Sequence, residues 1–197
     1  FPYEGQSPYC YNHLRTGRPS TNGGYCLGYR DTPYEPVYPF GYGLSYSKFL
    51  YKDIKVRELE VNKFKVTVTV ENVSDIAGKE VVQLYIRGYG NSIRRRGKEL
   101  KGFKKVFIKS KQSVEVFIPF DEYTFRVFNP LQNQWQIEGG EYRISIGASS
   151  ADIRLIGSVS VEGNATDFGY CFEKLEKYYH ADVTAITDEE FEALLNR

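Results

Sequence analysis

From Lys63 to Glu71 the chain alternates without exception: Phe64, Val66, Val68 and Val70 fall on one side, Lys63, Lys65, Thr67 and Thr69 on the other. Successive side chains of an extended backbone point to opposite faces, so this period of two specifies a strand with one dry and one wet face. Val82, Leu84 and Ile86 repeat the pattern, as do Val114, Val116 and Ile118, and then Tyr142, Ile144 and Ile146. Ile153 and Leu155 begin another run, with Val159 and Val161 beyond a break expected at Gly157, and Leu100 to Ile108 is a further candidate. Turn-forming stretches separate the runs at Asp75–Gly78, Gly88–Asn91, Lys109–Gln112, Gly139–Gly140 and Ala148–Asp152. Short strands at this spacing, with no helical period between them, predict a mainly β chain: an antiparallel sandwich of about seven strands between Tyr51 and Glu162. An antibody-type sandwich would hold a cysteine pair, and no Cys lies between Cys26 and Cys171. A fibronectin type III-like variant of the immunoglobulin architecture is therefore the better fit. Trp135 is expected to pack near a strand end rather than to serve as a sugar-stacking platform.

The two ends differ from this body. Ten of the 17 Tyr and six of the eight Pro lie within Phe1 to Tyr51. Residues 165–197 carry a net charge of −5, against +6 for the rest. Thr187-Asp-Glu-Glu190 has the form of a capping box, and Ile186 and Phe191 have the spacing of a hydrophobic staple, which predicts a helix from about residue 188 with Phe191, Leu194 and Leu195 on its apolar stripe. The 197 residues contain no Met and begin with Phe1. A complete translation product would start with Met, and Phe is too large to follow a removed one, so the chain is expected to be part of a longer protein. No apolar run approaches the roughly 18 residues of a membrane-spanning helix. A formal charge of +1 provides no electrostatic case for nucleic acid or an anionic membrane.

Motifs that carry chemistry are mostly missing. His13, His180, Cys10, Cys26 and Cys171 show no metal-ligand spacing and are expected to be structural, and no phosphate loop, dinucleotide fingerprint or nucleophile elbow occurs. Three Cys cannot all pair within the chain, which favours reduced thiols and a cytoplasmic setting. Asn72-Val-Ser74 and Asn164-Ala-Thr166 match the glycosylation sequon, which matters only in a secreted protein. Arg94-Arg95-Arg96 is the one dense basic cluster, in an expected inter-strand loop between Gly88 and Gly97. It reads either as a solvated loop or as a contact with a neighbouring domain or an acidic or polyol ligand at a pocket rim. Carboxylates are plentiful, but a glycosidic acid/base pair is a spatial property and none is nominated.

The segment Tyr38-Pro39-Phe40-Gly41-Tyr42-Gly43-Leu44-Ser45-Tyr46 resembles the junction that follows the α/β-sandwich domain in family 3 glycoside hydrolases, the β-glucosidase and β-xylosidase family. Tyr11 to Pro19 is similar to the segment leaving that domain. Asn72 to Tyr85, Lys98 to Val106 and Gly139 to Ser150 are similar, in the same order, to segments of the family's fibronectin type III-like domain. Members often carry Arg-Pro ahead of the Lys98-Glu-Leu-Lys-Gly-Phe motif; here Arg95 matches and Arg96 replaces the Pro. The resemblance implies four regions: residues 1–20 as the irregular end of the α/β-sandwich domain, 21–50 as an interdomain linker, 51–162 as the fibronectin type III-like domain, and 163–197 as an acidic connector with a short helix. Tyr38 to Gly43 would be the interdomain junction. Ala181 to Leu195 resembles the connector of a permuted subgroup in which the barrel domain comes last. It also implies retaining hydrolysis of terminal β-linked sugars by an Asp of a barrel domain and a Glu of the α/β sandwich. Neither of those motifs is present, so no catalytic residue is carried over, and no cofactor or metal is implied. The expected partners are the remaining domains of the same enzyme and, through them, a β-glycoside or oligosaccharide, with no nucleic acid and no membrane. A carbohydrate-binding module and an immunoglobulin-like interaction domain are the competing readings.

Overall fold

The computed structural model of the chain describes residues 11, 36–88, 98–165 and 187–195. The strands are β1 (Phe49–Glu60), β2 (Lys63–Asn72), β3 (Gly78–Gly88), β4 (Glu99–Ile108), β5 (Ser113–Phe120), β6 (Arg126–Asn129), β7 (Gln134–Ile137), β8 (Gly140–Gly147) and β9 (Ile153–Val161). All pairings are antiparallel. One sheet runs β1-β2-β5 and the other β4-β3-β8-β9, while β6 and β7 form a separate hairpin. The split into three and four strands is the sandwich the alternation predicts.

Alternation decides what each sheet buries. Val66, Val68 and Val70 of β2 face Leu84 of β3 and Ile144 and Ile146 of β8, and all six are fully buried. An aromatic cluster closes one end of this core. Phe64 and Phe120 stack at 5.3 Å, and Phe125 sits edge-on to Tyr142 at 4.8 Å. Such edge and offset contacts let the ring quadrupoles attract while filling volume.

Side-chain amides fasten the loops. Asn62, in the β1–β2 turn with φ +56, donates through Nδ2 to the Glu162 carbonyl at 2.7 Å and accepts from the Glu162 N–H at 2.9 Å. Asn72 is fully buried and donates to the carbonyls of Ile76 and Ile108 while accepting from the Ser74 N–H. The first sequon match is therefore a structural amide, enclosed where no glycan could attach.

Some expectations need correction. β9 passes through Gly157 without a break. The missing Cβ there instead admits β1, since a methyl would lie 3.2 Å from Val56 Cγ2 and 3.4 Å from Ile54 Cδ1. Trp135 stands at β7 but is 63% exposed, because the β6–β7 hairpin lies outside both sheets, where Phe128 packs edge-on to its ring. β1 has no continuous alternating signature because Asp53, at φ +53, sits in a register shift between Lys52 and Lys55 that moves the inward face from Phe49 and Tyr51 to Ile54 and Val56, and a second shift follows between Glu58 and Glu60.

The C-terminal helix α1 (Asp188–Leu195) begins where the capping box predicts. Thr187 Oγ1 accepts from the Glu190 N–H at 3.3 Å, and the Glu190 carboxylate accepts from the Thr187 N–H at 3.2 Å. Ile186 and the Leu194 and Leu195 side chains lie outside the described residues.

Leu84→Ala removes a fully enclosed side chain from the centre of the sandwich. It should lower unfolding free energy by about 2–5 kcal/mol, whereas Thr67→Ala on the wet face should stay within about 0.5 kcal/mol, as read from urea denaturation midpoints.

Candidate functional site

The segment between Tyr38 and Gly43 is drawn onto the outer face of the four-stranded sheet. Pro39 presets a turn in which its carbonyl accepts from the Tyr42 N–H at 3.0 Å, and Gly41 completes it at φ +79, a conformation costly for any residue with a Cβ. Two carbonyls of this strap are then tied to the sandwich. Phe40 accepts from the Ser150 N–H at 2.8 Å, and Gly41 accepts from Gln83 Nε2 at 3.0 Å.

Gln83 is the centre of the attachment. It projects from β3 on the face opposite the core and is 4% exposed. Its Nε2 donates to Gly41 and, at 2.6 Å, to Ala148, while its Oε1 accepts from the Tyr85 hydroxyl at 2.6 Å. A methyl on Gly41 would lie 2.0 Å from that Oε1. The glycine is thus required both for its backbone angle and for the closeness of the amide. The signal available in the sequence was Gln83 itself, a polar residue inside the run Val81-Val82-Gln83-Leu84-Tyr85.

Aromatic rings complete the strap. Phe40 stacks on Tyr11 at 4.1 Å and 13°, and Tyr11 meets Tyr85 edge-on at 6.2 Å. The Tyr11 hydroxyl accepts from the Leu100 N–H at 2.6 Å. Burial, reinforced by Tyr11, pushes the Tyr85 phenol well above the usual range, so it remains a neutral donor to Gln83. The rings of Tyr38 and Tyr42 lie 5.1 Å apart. The outward surface stays open: Tyr38, Phe40 and Tyr42 are nearly half exposed, and Leu44 and Tyr46 are 87% and 95% exposed.

Beside the strap runs a groove of about 800 Å³, with Leu44 and Phe103 on its rim and Glu80, Asp152 and Arg154 among its lining residues. Arg154 joins the two sheets at this edge. It donates to the Phe49 carbonyl at 2.8 Å, pairs with Asp152 at 2.7 Å, and lies over the Tyr51 ring at 4.7 Å. Its hydrogen bonds hold the Asp152 carboxyl below the usual carboxylate range. Tyr51 donates to Glu80 at 3.3 Å, and burial followed by the Glu80 charge pushes its phenol far upward.

Of the predicted junction residues Tyr38, Pro39, Phe40, Gly41, Tyr42 and Gly43, the structure bonds Phe40 to Ser150 and Gly41 to Gln83, closes the turn from Pro39 to Tyr42 and sets Tyr38 beside Tyr42, contacts that the sequence reading did not assign. Arg94, Arg95 and Arg96 lie outside the described residues, as do His13, His180 and all three Cys. Among the described residues no group of three or more His, Cys, Asp or Glu side chains could hold a metal ion. What the strap offers chemically is a rigid backbone turn, anchored from below by an amide and presenting aromatic rings outward.

Comparison with known proteins places this arrangement in context. Residues 80–150 match the fibronectin type III-like domain. The chain is 46% identical over 144 residues to the thermostable beta-glucosidase B of Acetivibrio thermocellus, covering 70% of this chain and 19% of that protein. It is 42% identical over 144 residues to an exo-alpha-(1->6)-L-arabinopyranosidase of Bifidobacterium breve, covering 72% and 19%. Among solved structures, a beta-glucosidase from Listeria innocua in complex with glucose superimposes with a TM-score of 0.67 at 42% identity, covering 79% of this chain and 22% of that one. A GH3 beta-glucosidase from Bifidobacterium adolescentis gives 0.64 at 35% identity, covering 77% and 23%. The chain therefore spans about a fifth of the relatives it matches.

Gly41→Ala should release the strap while sparing the sandwich: limited proteolysis should cut within 36–48 at least about tenfold faster, with little change in the global denaturation midpoint. The Asp152–Arg154 pair carries a defined pH sign. Because the folded carboxyl sits below its unfolded value, its contribution is complete above the ordinary carboxylate range and disappears as pH falls through the folded value. Asp152→Asn should cost about 0.5–1 kcal/mol near neutrality, a modest figure because the pair is partly exposed, and the two proteins should converge in stability as pH falls below the ordinary carboxylate range.

Proposed function

We propose that this chain, which carries the fibronectin type III-like domain of family 3 glycoside hydrolases, is the structural portion of a β-glucosidase-type enzyme that hydrolyses terminal β-linked sugars. In this reading the strap at Tyr38 to Gly43 is the junction between the sandwich and the catalytic domains, and the chain alone is inactive because the catalytic Asp and Glu belong to the rest of the enzyme.

One observation carries the proposal: similarity to glycosidases extends over most of this chain but only about a fifth of theirs. Two further points support it. The relatives that share this portion are named for different sugars, a beta-glucosidase and an arabinopyranosidase, at nearly equal identity. A module that tracks neither activity is suited to holding catalytic parts in place rather than choosing the substrate. The strap also supplies what an interdomain joint needs. Its inner side is fixed to the sheet by Gln83 and Ser150, and its outer side exposes Tyr42, Leu44 and Tyr46 next to Phe103. A patch of this kind is the surface that a neighbouring domain covers.

The test is direct. The purified chain should give no turnover of an aryl β-glucoside above buffer, and the full-length protein should turn it over by a retaining route. In that full-length protein, Gln83→Ala should lower the temperature at which activity is lost, with an unchanged KM. Turnover by the chain alone would refute the assignment of the catalytic pair elsewhere.

A further inference from the structure

We propose that the β6–β7 hairpin is a saccharide-binding site, with Trp135 as the stacking platform and the side-chain amides of the turn residues Gln132 and Asn133 as its hydrogen-bonding rim. The inference goes beyond the structural role of the strap and rests on a different end of the sandwich. The hairpin lies between the end of β5 and the start of β8, whereas the strap is tied down at Gln83 and Ser150.

Three observations meet there. The first is exposure. Trp135 is the single Trp of the chain and leaves 63% of its surface open, with Phe128 set edge-on to it at 5.6 Å and 68°. The second is rigidity. Asn129 and Gln136 are buried beneath the turn and bonded to one another at 2.8 Å, and the Asn129 Oδ1 accepts from the N–H groups of Leu131 and Gln132. Asn133 holds φ +50 at the turn. The base is fixed by Asn164, whose Oδ1 accepts from the Ile137 N–H at 2.8 Å while its own N–H donates to the Ile137 carbonyl. A platform ordered in advance loses little freedom when a ligand arrives.

The third is the chemistry of the rim. From Asn129 to Ile137 no residue is charged, and the turn residues Gln132 and Asn133 are exposed. Side-chain amides supply both donors and acceptors, which is what a neutral polyol with many hydroxyls requires. The apolar C–H face of a pyranose covers an indole while its equatorial hydroxyls reach sideways to such amides. A nucleic acid would need cations along its backbone, and a helical peptide would need a continuous apolar groove. The hairpin has neither. A neutral oligosaccharide is the occupant this surface fits.

The experiment titrates the chain with cellotetraose and xylotetraose, following Trp135 emission and calorimetric heat. We expect a saturable blue shift with at least one sugar, and affinity falling about tenfold in Trp135→Ala by calorimetry. Gln132→Ala should weaken binding by about threefold, with the circular dichroism of both variants unchanged. Absence of a saturable signal up to about 10 mM sugar would overturn the proposal. So would affinity untouched by the two substitutions, or a blue shift that depends on protein concentration alone, which would indicate a second copy on the hairpin. A sugar-free full-length protein whose Trp135 resists acrylamide quenching would overturn it as well, since the remaining domains would then cover the platform.

Discussion

The molecule depends on the face-to-face contact of two sheets, and within it on the ladder of Val66, Val68 and Val70 set against Leu84, Ile144 and Ile146. All six side chains are removed from water, and burying apolar surface of this kind is the dominant favourable term in folding. Every other feature is hung on the strands that make this contact. The Asn62 bridge to Glu162, the Arg154 link to Phe49 and the buried amide of Asn72 all join loops or edges that the core has already brought close.

β3 shows how one strand serves two ends. Its inward residues Val82, Leu84 and Ile86 belong to the core, while Gln83 and Tyr85, one position out of phase, hold the Tyr38–Gly43 strap on the outer face. Because side chains alternate strictly along a strand, the strap is registered to the core with no freedom between them. The inner half of the strap is thereby part of a folded sheet.

Much of this was legible from the order of residues. The alternations in β2, β5 and β8 placed those strands, and the Thr187–Glu190 spacing placed the helix start, because each is a local rule with a fixed period or offset. The legible part ended where the rule was broken or the element was short. β1 is masked by its bulge at Asp53, and β6 and β7, at four residues each, are too brief to show a period. Gly157 looked like a break because glycine punctuates so many turns; in the fold it marks the place where β1 passes close by. The junction aromatics were recognisable as a motif, but their anchor was not, since Gln83 is 42 residues from the Gly41 it holds.

The sequence by itself determined the class of fold, the facing of most strands and the kinship of the chain, since period, turn chemistry and motif order are all local to the residues that carry them. Only the tertiary structure decided which polar residues are structural and which surfaces are free. Asn72 in its sequon proved to be an enclosed amide, Trp135 proved to stand in the open, and Gln83 proved to be the clasp of the strap. Burial and long-range hydrogen bonds depend on what the rest of the chain brings alongside a residue, and no local pattern records that.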